Sequence, residues 1–175
     1  AIAKELLSSK KGDSFNLSAD EYALFHALGK KATTAQVEDV MKKILKKRFL
    51  DYHQQGLEGI APYQRSREAY EPGKGLHLKT SKSAKMKEKF PELFKYLLEY
   101  PNSKPDKGHV TEAFCWINFT IDDKPTICLG HKMGYKEDGG FFAVCERHFY
   151  VSRGHNSVQM IGGGFETDDK KTLCL

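Results

Sequence analysis

The sequence predicts an α+β fold in which N-terminal helices pack on one face of a curved antiparallel sheet of four to five strands formed by the C-terminal part. Apolar residues recur at helical spacing up to about residue 100, whereas they alternate with a period of two after residue 108. Short turns separate the alternating segments, which is typical of antiparallel hairpins. Since 175 residues is the usual length of one domain, we expect residues 1–175 to form a single domain, helical over 1–108 and β over 109–175.

The first two predicted helices have clear start signals. Ser18 and Glu21 have the spacing of a capping box, and Gly29 marks the end of that helix. Thr33 and Gln36 repeat the same spacing before a second helix, whose apolar stripe lies opposite a lysine-rich face. Both helices are therefore expected to bury one face and expose the other.

The middle of the chain is less regular. Glycines and prolines between Gly56 and Pro72 predict an ordered loop, and Lys74–Lys89 is lysine-rich with weak patterning. Pro91 then opens a short helix with a clear apolar face. The polar connector Asn102–Gly108 is the predicted boundary between the helical and β parts.

The β part contains segments whose alternation predicts strands. They are Glu112–Thr120, Pro125–Met133, Phe141–Ser152 and Ser157–Gly164. The tail Lys170–Leu175 is either a fifth strand or the start of a continuation.

Charge and motif content narrow the classes of function. The net charge of +5 is uneven, with +7 over residues 1–111 and −2 over residues 112–175, so the helical part favours anionic partners. No run approaches the roughly 18 apolar residues of a membrane span. There is no P-loop, no G-x-S-x-G, no H-E-x-x-H and no G-x-G-x-x-G after a strand, which lowers the odds of a common enzyme class.

Four cysteines leave the redox state open. Cys115, Cys128, Cys145 and Cys174 form an even set without a C-x-x-C pair, which argues against a zinc ribbon or a thioredoxin-type motif. Free buried thiols and disulfides are both compatible with this spacing.

Polar residues inside two predicted strands are the candidate site. Alternation places Ile127, Leu129, His131 and Met133 on one face of their strand, and Phe142, Val144, Glu146, His148 and Tyr150 on one face of the next. If the two faces coincide, His131, Glu146 and His148 supply a two-histidine, one-carboxylate set suited to zinc or non-haem iron. For covalent catalysis the available pairs are Cys145 with His131 and Ser152 with His155.

Several strings of the sequence resemble an uncharacterised family of exported bacterial proteins. They are Gly56–Tyr63 with Arg65 (GLEGIAPY), Glu112–Trp116, Leu129–His131, and Glu146–Ser152 with Asn156, Ser157 and Gln159. The resemblance covers roughly residues 15–165 and brings no established activity. It implies a periplasmic or secreted protein.

The sequence is compatible with three functions. The first is a ligand-binding module for a small apolar or amphipathic molecule, held between sheet and helices. Its expected walls are Trp116, Phe142 and Tyr150, and its expected orienting groups are His131, Glu146 and Arg147.

The second function is an enzyme that uses His131, Glu146 and His148 for metal-assisted or acid/base chemistry. The third is an interaction protein that docks on an acidic protein or anionic surface through the basic helix Thr34–Leu50 and the loop Tyr63–Arg67.

Overall fold

A computed structural model describes residues 2–10, 14–65, 68–137, 139–166 and 172–174, with the backbone alone at 166 and 172–174. Within these ranges the helices are α1 (Ile2–Ser8), α2 (Ala19–Ala27), α3 (Thr34–Gln55), α4 (Pro72–Ser81), α5 (Ala84–Lys89) and α6 (Pro91–Glu99), and a 3₁₀ turn covers Gly56–Gly59. The strands are β1 (Tyr63–Arg65), β2 (Glu68–Tyr70), β3 (His109–Ile121), β4 (Lys124–Lys136), β5 (Phe141–Val151), β6 (Val158–Glu166) and β7 (Thr172–Cys174).

The predicted α+β fold is confirmed. The strands β3 to β7 form an open antiparallel sheet in sequence order, in which the four long strands β3 to β6 make up most of the area. Strands β1 and β2 form a separate hairpin inside the predicted loop. One hydrophobic core contains residues of both the helices and the sheet.

Both predicted capping boxes are present. The Ser18 hydroxyl accepts a hydrogen bond from the Glu21 backbone N–H, and the Glu21 carboxylate accepts one from the Ser18 backbone N–H at 2.7 Å. Thr33 and Gln36 make the same reciprocal pair at the start of α3. Helix α3 continues to Gln55, past the predicted end at Leu50, because its buried stripe extends to Tyr52.

Helices α4 and α5 occupy the lysine-rich stretch for which the sequence predicts only weak structure. Pro72 lies in the first turn of α4, where a missing N–H costs no helical hydrogen bond. Leu76 and Thr80 are buried on one side of α4. Packing of this side therefore stabilises α4, although its glycines lower the helix propensity of the segment.

Residues near the two ends of the chain are tied together. The Asn16 side-chain amide donates to the Val151 carbonyl oxygen at 2.7 Å, and the Asn16 backbone N–H donates to the Ser152 carbonyl oxygen at 2.8 Å. The Arg153 guanidinium donates to the Glu5 carboxylate at 3.1 Å. The end of β5 thus fixes α1 and the segment that leads into α2.

No helix among the described residues is both long enough and apolar enough to span a membrane.

Candidate functional site

The predicted site residues lie on opposite faces of the sheet. His131 pairs with Arg147 across β4 and β5, and both side chains are fully buried on the inner face, which packs against the helices. Lys132 pairs with Glu146, so Glu146 projects from the outer face. His148 lies on that outer face too, since its ring nitrogen Nε2 is 2.9 Å from the Glu146 carboxylate.

The register therefore separates the three residues expected to hold a metal. His131 is on the inner face, whereas Glu146 and His148 are on the outer face. Among the described residues no group of three or more histidines, cysteines, aspartates or glutamates is placed to hold a metal ion. Alternation is as expected in β4 and over Phe142–His148 of β5, but the pairing of the two strands differs by one residue from the pairing that would join the two sets.

A β-bulge changes the position of Tyr150. The pairing shifts between Leu129 and Gly130, so that Phe149 is the extra residue of β5. Phe149 stacks on Tyr52 with ring centroids 4.1 Å apart, and the Arg48 guanidinium lies 4.3 Å from the centre of the Tyr150 ring. Both aromatic side chains therefore face the helices, while Tyr150 was expected on the face of Phe142.

Of the other two residues expected to line the ligand site, Phe142 lies on the opposite face of the sheet from Tyr150, and Trp116 is separated from Tyr150 by Leu129. Trp116 lies on edge strand β3 with 66% of its surface exposed, and Phe142 is 39% exposed on the outer face. The middle of the helix–sheet interface is filled by the rings of Tyr52, Phe114 and His131, with Phe114 and His131 stacked at 4.4 Å. The protein's own side chains thus fill the middle of the interface around His131.

A polar network crosses this buried interface. Arg147 Nη1 donates to the Tyr52 hydroxyl oxygen at 3.2 Å, and that hydroxyl lies 2.9 Å from His131 Nδ1. The Tyr52 hydroxyl oxygen accepts from Arg147, and it either donates to Nδ1 of a His131 protonated on Nε2 or accepts from a His131 protonated on Nδ1. His131 Nε2 is 4.0 Å from a Glu112 carboxylate oxygen and has no hydrogen-bond partner in the described part of the chain.

His131 stays neutral at neutral pH. Burial lowers the pKa of His131 to about 3, and the positive charge of Arg147 adds to the shift. A general acid or base works best when its pKa lies near the working pH. The position of His131 therefore suits a structural hydrogen bond better than proton transfer near pH 7.

Arg147 fixes several elements at once. Besides Tyr52 of α3, its guanidinium donates to the Leu97 carbonyl oxygen of α6 at 2.6 Å and to the Gln159 side-chain oxygen of β6 at 2.8 Å. Gln159 in turn donates to the Thr80 hydroxyl of α4 at 3.0 Å. Gln159 and Thr80, which sequence reasoning did not connect to Arg147, extend the network to the edge of the sheet.

A second cluster of polar side chains lies on the outer face of the sheet. His148 and Glu146 form a hydrogen-bonded pair, and the Lys132 ammonium lies 3.8 Å from the other Glu146 oxygen. Cys115 is nearby, since its Sγ and Glu146 Oε1 lie 3.2 and 3.8 Å from the position that a Cβ on Gly130 would take. Gly130 thus provides the space in which these side chains approach one another.

Neither candidate nucleophile pair forms a hydrogen bond between its two members in the described part of the chain. Cys145 is buried on the inner face, where burial raises the pKa of its thiol to about 12. The Ser152 hydroxyl accepts a hydrogen bond from the Ile127 backbone N–H at 2.9 Å, which is a structural contact within the sheet.

The described cysteine side chains, Cys115, Cys128 and Cys145, are free thiols, and the side chain of Cys174 lies outside the described part. Among these three cysteines we expect iodoacetamide at pH 8 to alkylate Cys115 first, because Cys128 and Cys145 are buried and burial raises the pKa of each to about 12. Their alkylation should be at least about a hundredfold slower than that of Cys115. Peptide mapping by mass spectrometry measures this order, and unfolding in urea should equalise the rates. Equal rates in the folded protein contradict the expectation.

A cavity lies in the helical part, outside the predicted site between sheet and helices. This helical cavity has a volume of about 720 Å³. Its lining comes from the 3₁₀ turn, the segment after it and the first half of α4: Leu57, Glu58, Ile60, Pro62, Glu71, Gly73, Lys74, His77 and Leu78.

Close backbone contact shapes the helical cavity. A Cβ on Gly73 would overlap the Leu57 carbonyl oxygen, and a Cβ on Gly59 would overlap the Asp51 carbonyl oxygen. Glycine therefore permits α4 and the 3₁₀ turn to approach each other and α3 more closely than any other residue would. The walls of the cavity are held by main-chain packing.

The described residues include the basic helix of the interaction hypothesis and only part of its loop. Two lysines of α3 pair with acids on the same helix, Lys42 with Asp39 at 3.9 Å and Lys47 with Asp51 at 2.5 Å. These exposed pairs reduce the charge that α3 presents. Arg67 of the loop lies outside the described residues.

Strings that are distant in the sequence meet in the structure. The Tyr63 hydroxyl donates to the Asn156 side-chain oxygen, and His131 pairs with Arg147 across β4 and β5. These pairs join members of different strings that carry the resemblance to the exported family. Comparison with protein-family models, with curated proteins and with solved structures found no match for this chain.

Proposed function

We propose that this protein is a ligand-binding module that holds a small amphipathic molecule in the helical cavity. The observation that carries the proposal is the volume of about 720 Å³, which lies within the range of 300–1,000 Å³ typical of small-molecule sites. Ligand binding is the class of function that the sequence suggests. The site lies in the helical part, whereas the sequence predicts it at the helix–sheet interface.

The wall of the cavity suits the apolar body of such a ligand. Leu57 and Ile60 are buried beneath it, and Leu78 is 53% exposed beside it. An exposed leucine next to a concave apolar wall adds surface that a bound molecule would cover. Burying this surface supplies about 25 cal/mol for each Å² removed from water.

The rim of the cavity suits a polar head group. Glu58, Glu71, Lys74 and His77 contribute both donors and acceptors. The Lys74 ammonium lies 2.8 Å from the Glu71 carboxylate, and both side chains are solvent-exposed. Because an exposed ion pair has little net stability, a ligand with its own charges can replace one partner at small cost. A zwitterionic or singly charged head group fits this rim best.

One string of the resemblance lies at the same location. Leu57, Glu58, Ile60 and Pro62, which belong to the GLEGIAPY string, contribute one wall of the cavity. We propose with it that the protein is exported, as the resemblance implies. Separating the periplasm or medium from the cytosol of the source cells and detecting the protein in each fraction tests that location.

Leu78→Asp tests the cavity with 1-anilinonaphthalene-8-sulfonate, an amphipathic fluorescent anion. We expect the wild-type protein to bind this probe and the variant to bind it about tenfold more weakly, because the aspartate removes apolar contact and repels the sulfonate. Fluorescence titration measures the dissociation constant.

Leu24→Asp is the matched control. Leu24 is 49% exposed on α2 and does not line the helical cavity, so the affinity of this variant should stay within a factor of two of the wild-type value. If both variants weaken binding equally, or if neither does, the probe binds elsewhere and the proposal fails.

A further inference from the structure

Strand β3 forms one edge of the sheet over 13 residues. It pairs with β4 from His109 to Ile121 without a shift in register, and no described strand lies on its other side. Strand β7 lies at the opposite edge of the sheet. None of the residues of β3 is buried, and the strand contains no lysine, arginine or proline. Edge strands often carry such residues, which hinder pairing with another chain, so β3 lacks this protection.

The turn after β3 shows which backbone groups point to the open side. Asp122 and Asp123 both have positive φ, so this two-residue turn is of type I′. Such a turn is closed by a hydrogen bond between the residues that flank it, Ile121 and Lys124. Bonding to the neighbouring strand then alternates along β3. The odd-numbered residues bond to β4, and the even-numbered residues, from 110 to 120, direct their N–H and C=O groups to the open side.

An exposed aromatic residue lies in the middle of this edge. Phe114 stacks on His131 and contacts Phe49 of α3, so alternation places Trp116 on the same inner face. Trp116 is nevertheless 66% exposed, and it is the single tryptophan of the chain. Tryptophan is enriched among the residues that contribute most to protein–protein binding. The open backbone of β3 and this side chain together have the features of an interface.

The sequence of β3 is complementary to itself in the antiparallel direction. When two copies align over the full strand, Cys115 lies opposite its own copy and Phe114 lies opposite Trp116. Each Phe–Trp pair occurs twice, because the two copies are related by a two-fold axis. Glu112 lies opposite Asn118, so no like charges face each other. Any other register shortens the paired stretch.

Charges just beyond the strand agree with this alignment. Asp122 and Asp123 follow β3 at one end, and Lys107 precedes it at the other end. All three residues are exposed. In the full alignment, the acidic turn of one copy lies next to Lys107 of the other copy, again twice. Opposite charges at the rim of an interface speed association and fix the register.

We propose that two copies of this protein pair through β3 to form a dimer with one continuous antiparallel sheet. The two β3 strands run antiparallel around a two-fold axis at Cys115, and the even-numbered residues supply the hydrogen bonds. Two five-stranded sheets join into one of ten strands, a size that open sheets reach. The outer face, to which Cys115 projects, stays open. The interface contains no residue that lines the helical cavity, so it does not depend on ligand binding there.

The fluorescence of Trp116 tests the pairing directly, because the chain has no other tryptophan. We expect its emission to shift to shorter wavelength as the protein concentration rises from about 0.5 µM to about 100 µM, since Phe114 of the second copy removes the indole from water. Light scattering during size-exclusion chromatography should show the mass of two chains over the same range. A protein that remains a monomer at about 200 µM overturns the proposal.

Two variants disrupt the interface in different ways. Trp116→Lys should raise the dissociation constant of the dimer about a hundredfold, because it places a charge at two positions of a symmetric interface. Asn118→Pro removes an N–H that points to the open side and should also dissociate the dimer, whereas edge strands tolerate proline at such a position.

Val144→Lys is the matched control. Val144 is 56% exposed on the outer face of β5, away from the edge of the sheet, so the dissociation constant should stay within a factor of two. If Val144→Lys dissociates the dimer and Trp116→Lys does not, the copies associate through the outer face and the proposal fails.

Cross-linking of Cys115 tests the register. In the full alignment Cys115 forms a non-hydrogen-bonded pair with its copy, whose Cα atoms lie about 4.5 Å apart, within the range of roughly 4.4–6.8 Å for disulfides. Diamide takes up the two thiol hydrogens as the disulfide forms, and it should link wild-type chains through Cys115. The variant Cys115→Ser should still dimerise but form no such link. If peptide mapping finds no Cys115–Cys115 link in the oxidised dimer, the proposed pairing is wrong.

Discussion

Arg147→Ala is expected to lower the free energy of unfolding by about 4 kcal/mol. The Arg147 side chain is fully buried, and its guanidinium donates to Tyr52, Leu97 and Gln159. Its removal leaves buried acceptors on α3 and α6 without a donor, each at a cost of about 1–3 kcal/mol, and leaves a cavity at the centre of the interface. Urea denaturation followed by circular dichroism measures the change.

Two further variants show whether these hydrogen bonds are the cause. Arg147→Met keeps most of the volume and removes every donor, so its loss should be smaller, at about 2 kcal/mol. Lys132→Ala on the neighbouring strand removes a half-exposed lysine and should cost no more than about 0.5 kcal/mol. A loss below about 1 kcal/mol for Arg147→Ala contradicts the expectation.

Gly73→Ala is expected to lower the free energy of unfolding by about 3 kcal/mol. The new methyl group would overlap the Leu57 carbonyl oxygen, and that oxygen belongs to the backbone of the 3₁₀ turn. Relief of the overlap requires α4 to move away from the turn. Because both segments line the helical cavity, the variant should also bind 1-anilinonaphthalene-8-sulfonate more weakly.

Gly75→Ala, two residues further along α4, is the matched control. A Cβ at Gly75 has no heavy atom within 4 Å, and the residue is exposed. Since alanine favours a helix over glycine, the control should raise the free energy of unfolding by about 0.5–1 kcal/mol. Thermal unfolding of the two variants then moves in opposite directions. A destabilised Gly75→Ala variant would show that α4 tolerates no added methyl group, whatever its surroundings.

The sequence predicts the elements whose signals are local. Ser18 and Thr33 start their helices as expected because a capping box depends on residues three positions apart. Pro91 likewise starts α6. Helix α4 is predicted poorly because its two glycines reduce helix propensity, and its stability comes from the burial of Leu76 and Thr80 against distant segments.

The candidate site could be predicted only in part. Alternation correctly places His131 with Met133 on the inner face, but the pairing of β4 with β5 decides which residues of the next strand meet them. A glycine inside a strand often marks a bulge, and Gly130 lies at this one, but the sequence does not show that Phe149 of the partner strand is the extra residue. The helical cavity depends on backbone contacts between Gly73 and Leu57, for which a sequence has no periodic signal.

The ties between the beginning and the end of the chain affect how it folds during synthesis. Glu5 and Arg153 are separated by 148 residues, and Asn16 and Val151 by 135. A ribosome has therefore made nearly the whole described chain before the first helix and the segment after it obtain these partners. Contacts at such separations slow folding because a long loop must close before they form. Until β5 has emerged, α1 and the segment after it lack these partners, and their apolar surface is open to non-specific association.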